Sequence, residues 1–226
     1  MTVTSPAAVL WDMDGTLVDT EPYWMAAETP LVESFGGTWS HEQSLELVGA
    51  GLSDAAAVLQ RAGVTLDIPD IVDRLTDDVM RRAREFGVPF RPGARELLRD
   101  LRRAGVRTAL VTMSMRRMAD TIVELIDFDA FDLVLGGDDV ARPKPHPDPY
   151  LHACEALGVD PADAVAVEDS PSGLRSALAA GIATIGVPHI VPLTDVGAHA
   201  LWPSLRDRTA ADIAGFYTAH RAEAPA

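Results

Sequence analysis

The sequence predicts an α/β protein built on a doubly wound parallel sheet, with an all-helical domain inserted after the first strand. Three observations lead there. Short apolar runs bounded by turn residues alternate with longer segments of helical period. The runs are apolar throughout, as in parallel strands covered on both faces. One stretch, 19–89, is too long for a single crossover between strands and reads as helical from end to end.

Taken in order, the strand candidates are Ala7–Trp11, Arg107–Thr112, Leu133–Gly136, Ala164–Glu168 and Ile182–Val187. Between them helices are predicted at Ala94–Ala104, Arg116–Ile126, Pro149–Leu157 and Ser170–Ala180, several opened by a capping residue or proline and closed by glycine. This alternation is the doubly wound layout. The inserted stretch carries Pro22 at one border and Gly87, Pro89, Pro92 and Gly93 at the other, a composition suited to two hinge segments. The predicted division is therefore a core of residues 1–18 and 90–226 and a helical domain of residues 19–89. Ala222–Ala226 read as a frayed tail.

Composition narrows the functional classes. A net charge of −15 opposes binding to nucleic acid, whose affinity comes from Lys and Arg on phosphates. No apolar window reaches the length of a membrane span, so no membrane partner and a cytoplasmic location are expected. The single cysteine, Cys154, excludes an internal disulfide, fits a reducing compartment and reads as a small buried residue without a chemical role. The chain is expected to act as a monomer.

The chemistry gathers at strand ends. Strand one stops on Asp12-Met13-Asp14-Gly15-Thr16, two carboxylates at alternate positions where a parallel strand opens into the ligand crevice. Adjacent carboxylates repel, so such a pair calls for a cation or for catalytic use. A calcium loop would need a third acid and a later Glu where the chain has Thr16 and Tyr23. Asp12 is suited to attack phosphorus, and Asp14 to act as general acid and then general base. Gly15 permits the tight backbone path beside them.

The run Asp12-Met13-Asp14-Gly15-Thr16-Leu17-Val18-Asp19-Thr20-Glu21 resembles the first motif of the haloacid dehalogenase superfamily, in the branch whose helical cap follows that motif. The resemblance implies a Rossmann-like core, residues 19–89 as the cap, and Mg²⁺ as cofactor. The second motif matches Leu110-Val111-Thr112 with Ser114 beyond it, hydroxyls that would hold a transferring phosphoryl group alongside Gly15. The third matches Arg142-Pro143-Lys144-Pro145, and Lys144 is the only lysine in the chain. It would neutralise Asp12 and the phosphate together. The fourth matches Val165-Ala166-Val167-Glu168-Asp169-Ser170, implying Asp12, the Asp14 main-chain carbonyl and Asp169 as metal ligands, with Glu168 near the metal or its waters.

The implied activity is hydrolysis of a small phosphorylated metabolite, a sugar phosphate among the candidates, through an aspartyl-phosphate on Asp12. The alternatives are a phosphosugar mutase of the same family and, from another class, a non-catalytic binding protein on the same scaffold. A dehalogenase lacks the second acid that this chain keeps as Asp14. Sugar mutases of the family carry a hinge histidine, absent from Asp19–Glu28, where the first histidine of the chain is His41. The cap segment Leu47–Ser53 resembles a turn that reaches over the active site in related enzymes; it is followed by Asp54 where some relatives place an anion-holding Arg. Tyr23, Trp24 and Trp39 read as core of the helical lobe, and His146 as a loop residue.

Overall fold

In a computed structural model, residues 4–48 and 50–223 are described; Gly49, within the cap segment singled out above, and 224–226, within the expected tail, lie outside them. The chain divides into two compact units, one of residues 1–18 and 90–226 and the other of residues 19–89. No helix among the described residues is long and apolar enough to cross a membrane.

The first unit is the expected parallel sheet. Strands β1 (Ala8–Trp11), β2 (Arg107–Val111), β3 (Leu133–Leu135), β4 (Ala164–Glu168), β5 (Ala183–Gly186) and β6 (Ala200–Leu201) lie in the order β3-β2-β1-β4-β5-β6, every pair parallel. Every residue of β1 and β4 is buried, which explains why these strands read as unbroken apolar runs. Strand β1 is central, and the strand order reverses at its border with β4. A doubly wound sheet opens its ligand crevice at such a reversal.

Helices α5 (Ala94–Arg103), α6 (Arg116–Glu124), α7 (Asp148–Leu157), α8 (Pro171–Ala179) and α9 (Ala210–Glu223) belong to this unit. Leu10, Val111 and Ala166 pack with Tyr150, Ala153 and Cys154 of α7 and Ala177 of α8 in one apolar cluster. Cys154 is thus a core residue, as its setting in sequence suggested. The helix starts are chemically explicable: the Ser170 hydroxyl accepts from Gly173 N at 3.0 Å, satisfying one of the free amides of α8.

Two features differ from expectation. Strand β6 and helix α9 were not foreseen, and Ala222 and Glu223 close α9 rather than fray. The helix starts with a reciprocal pair, Thr209 N donating to the Asp212 carboxylate at 2.8 Å and Asp212 N to the Thr209 hydroxyl at 3.3 Å.

The second unit contains α1 (Glu21–Ser34), α2 (His41–Leu45), α3 (Leu52–Arg61) and α4 (Ile68–Phe86). Leu31, Leu59, Ile71, Leu75 and Val79 are buried within it. Ser40 and Gln43 cap α2 reciprocally, and the Asp67 carboxylate accepts from Asp70 N at 3.0 Å to cap α4. Trp39 is buried as read, its indole N–H donating to Glu28 at 3.1 Å and to Ser44 at 2.9 Å. Tyr23 and Trp24 are only half-buried, because each sits in the first turn of α1, where the Tyr23 hydroxyl donates to the Gly87 carbonyl.

Candidate active site

Asp12 follows the last residue of β1, and its amide donates to the Val167 carbonyl of β4 at 3.0 Å. That bond carries the sheet register one residue past the strand. Beyond it the chain turns tightly: Leu17 N and Val18 N both donate to the Met13 carbonyl at 3.0 Å, and Gly15 N donates to the Val18 carbonyl at 2.8 Å. Gly15 has φ 87°, and a Cβ there would stand 2.1 Å from Asp169 Oδ2. The glycine therefore serves twice, permitting the left-handed turn and letting the fourth-motif acid approach the first-motif loop.

Lys144 is the hub of the site. Its ammonium donates to Asp12 Oδ1 at 2.7 Å, to Glu168 Oε1 at 2.6 Å and to the Val111 carbonyl at the end of β2 at 2.9 Å. All its donors are used, and its side chain is only 3% exposed. Burial opposes its charge, but Asp12 and Glu168 outweigh burial and hold it firmly protonated. The loop that presents it is tied down where the Ser176 hydroxyl of α8 donates to the His146 carbonyl, so His146 contributes its backbone and leaves its ring in an exposed loop. Removing one member of such a buried pair costs about 3–5 kcal/mol, because the partner charge is stranded.

Asp14 takes a separate position. Its Oδ2 accepts from the Ser114 hydroxyl at 2.6 Å and from the Thr112 hydroxyl at 3.3 Å, while Thr112 Oγ1 itself accepts from Ser114 N at 3.0 Å. Thr112 and Ser114, read as phosphate-holding residues, here aim the Asp14 carboxylate. Of the sequence-predicted residues, Asp12, Lys144 and Glu168 form one hydrogen-bonded set and Asp14, Thr112 and Ser114 another, with Asp169 close to Asp12 and Glu168 and Gly15 beside Asp169.

Asp12, Glu168 and Asp169 each offer a carboxylate oxygen, all within 4.8 Å of one another. The Asp14 carboxylate is not one of this trio, and its Oδ2 accepts from the Ser114 and Thr112 hydroxyls. Thr16 Oγ1 donates to Asp169 Oδ1 at 3.1 Å. Burial, then the neighbouring carboxylates, pushes Asp12 up to about 7 and Asp169 up to about 9, the charge of Lys144 offsetting only part of the effect. With all three acids ionised, one ammonium would leave an excess of negative charge, and the raised values are the response to it. An all-oxygen donor set with that excess fits a hard divalent cation such as Mg²⁺.

Sequence reasoning missed two residues. Tyr150 is fully buried and donates its hydroxyl to Glu168 Oε1 at 2.9 Å. Gly173, in the first turn of α8, leaves room for the same carboxylate. A buried Glu168 was legible from sequence, and its need for donors was the one available signal for either.

Residues 9–187 match the family described as haloacid dehalogenase-like hydrolase. A phosphorylated carbohydrates phosphatase of Thermotoga maritima is 34% identical, the match covering 86% of this chain and 93% of that protein. Hexitol phosphatase B of Escherichia coli K12 is 32% identical over 92% of this chain and 96% of its own. Among solved structures, CbbY from Rhodobacter sphaeroides in complex with xylulose-(1,5)bisphosphate superposes with a TM-score of 0.80 at 31% identity, covering 89% of this chain and 96% of that one. The order of the four motifs, their convergence at the switch point and a match running through all of them have one explanation: this chain belongs to the haloacid dehalogenase-like hydrolase family.

Proposed function

We propose that the chain is a phosphatase that removes phosphate from a small organic monoester, with a sugar or polyol phosphate as substrate, through an intermediate on Asp12. The observation that carries this reading is the pairing of two acids in different environments. Asp12 is held against Lys144 at 2.7 Å, whereas Asp14 is held by the Ser114 and Thr112 hydroxyls at 2.6 and 3.3 Å. Two titratable groups with distinct surroundings can divide the roles of nucleophile and acid–base catalyst. The phosphatase names of the relatives, on phosphorylated carbohydrates and hexitols, support the substrate class.

In the first step a carboxylate oxygen of Asp12 attacks phosphorus, the ester P–O bond breaks, and Asp14 gives its proton to the departing alkoxide. In the second, Asp14 takes a proton from water as the water oxygen attacks phosphorus, releasing inorganic phosphate and restoring the Asp12 carboxylate. Lys144 offsets the charge of Asp12 and of the phosphoryl oxygens in both steps. Asp12, the Asp14 main-chain carbonyl and Asp169 would hold Mg²⁺, with Glu168 beside it; the cation supplies further screening of the phosphate charge. The helical unit would be the cap that selects the ester. A hinge segment without histidine favours water over a second sugar hydroxyl as acceptor.

The test is a panel of phosphorylated metabolites assayed for released phosphate with Mg²⁺ and with chelator. Sugar and polyol monophosphates are expected to be turned over only with the metal. Release of phosphate from none of them would overturn the reading, and growth of an isomerised sugar phosphate faster than free phosphate would replace it with a mutase.

A further inference from the structure

Glu168 is fully buried, and every contact made with its carboxylate has a direction. Oε2 accepts from Ser170 N at 3.2 Å and from the Ser170 hydroxyl at 3.0 Å. Oε1 accepts from Lys144 at 2.6 Å and from the Tyr150 hydroxyl at 2.9 Å. A phenol carries one proton, so the Tyr150 proton is committed to this oxygen. The ring of the same tyrosine lies beneath the ammonium, its centroid 5.1 Å from Lys144 Nζ, at cation–π distance. Tyr150 therefore touches both members of the pair that faces Asp12.

We propose that Tyr150 is a positioning residue: by holding Glu168 Oε1 in place and presenting its ring to the ammonium, it keeps Lys144 aimed at Asp12. A lysine has four rotatable side-chain bonds and little directional preference of its own, so its aim is set by what surrounds the ammonium. Val111 and Glu168 flank it, and Glu168 in turn depends on Ser170 at one oxygen and Tyr150 at the other. Loss of the phenol hydroxyl would leave Oε1 with Lys144 as its one donor among the described residues, freeing the two to shift together. The catalytic consequence rests on the hydrolase reading; the geometric claim does not. A tyrosine that merely filled the core between α7 and the sheet would be replaced by phenylalanine without effect on Lys144.

Because Lys144 is the only lysine, ¹⁵N labelling of lysine side chains gives a single ammonium resonance. In the wild-type chain, cross-relaxation between the ammonium protons and the Tyr150 ring is expected; its absence overturns the proposal without any variant. Tyr150→Phe keeps the ring and removes only the hydroxyl. In magnesium buffer we expect its ammonium resonance to shift and its protons to exchange with solvent roughly tenfold faster. We also expect kcat on the best ester of the panel to fall roughly tenfold with KM within about twofold, the pattern of an interaction realised in the transition state. An unchanged resonance and exchange rate in Tyr150→Phe overturns the proposal. If the wild type hydrolyses no ester, the hydrolase reading fails while the resonance still decides the role of Tyr150.

Discussion

Gly173 and Glu168 occupy space that a single methyl group would fill: a Cβ on Gly173 would stand 1.7 Å from Glu168 Oε1. The glycine sits in the first turn of α8, where its own amide donates to the Ser170 hydroxyl. The N-terminal turn of a helix favours a carboxylate, and this one approaches as closely as backbone alone permits.

Gly173→Ala should therefore displace the Glu168 carboxylate while leaving the helix itself content, since alanine is the better helix former by about 1 kcal/mol. We expect turnover to fall by at least about tenfold and stability to fall by about 1–3 kcal/mol, the usual cost of overpacking. Denaturant melts and steady-state kinetics on the same preparation check both. Unchanged turnover would show that Glu168 is free to move without consequence.

Asp12→Asn is close to isosteric and keeps the position at the end of β1, so the fold should survive. It removes the nucleophile and also the anion facing Lys144 at 2.7 Å. We expect turnover to drop by about a thousandfold or more, which is about 4 kcal/mol at 1.4 kcal/mol per tenfold. Phosphate release from a preparation verified by intact mass is the measurement, and substantial residual activity would remove Asp12 from the covalent role.

The ends of the strands were legible because a buried parallel strand is apolar until it meets the crevice, and the switch to Asp12 and Asp14, or to Glu168 and Asp169, is abrupt. The pairing of Lys144 with Asp12 was legible through the family resemblance, whereas its bonds to Val111 and Glu168 were not. Its partners come from Asp12, Val111 and Glu168, and which of several acids a lysine meets depends on tertiary register rather than spacing. Tyr150 was hidden for the same reason: in sequence it is one apolar position of an amphipathic helix, and only its hydroxyl sets it apart. Strand β6, of two residues, is too short to carry a period. Helix α9 lacks a clear apolar stripe, yet its Thr209…Asp212 start was a readable signal.

Cys154 should be chemically silent in the folded chain. It is 1% exposed, and burial pushes its thiol up to about 11. At pH 8 about one molecule in a thousand would carry the reactive thiolate, from a gap of about three pH units. Ellman's reagent is expected to titrate one thiol per chain in guanidinium and essentially none in native buffer over the same minutes. Fast stoichiometric labelling of the native chain would place Cys154 outside the core.

Metal removal and pH should act on the same three acids. The ordinary value of an aspartate is 3.8, and in the folded, metal-free chain burial and mutual repulsion push Asp12 up to about 7 and Asp169 up to about 9. Between 3.8 and those values the folded chain keeps protons that the unfolded chain has released. Stability then falls as pH rises through that window and levels off above it. A divalent cation among the carboxylates favours their ionised forms and removes the slope. Chelated protein should accordingly lose thermal stability between pH 5.5 and 9, and Mg²⁺ should stabilise more at pH 9 than at pH 5.5. At a hundredfold excess over its dissociation constant a ligand adds about 2.7 kcal/mol. For a chain of this size that corresponds to a rise in Tm of roughly 5–10 °C. Scanning fluorimetry with EDTA and with Mg²⁺ at both pH values is sufficient, and a Tm indifferent to Mg²⁺ at pH 9 would rule out a cation among Asp12, Glu168 and Asp169.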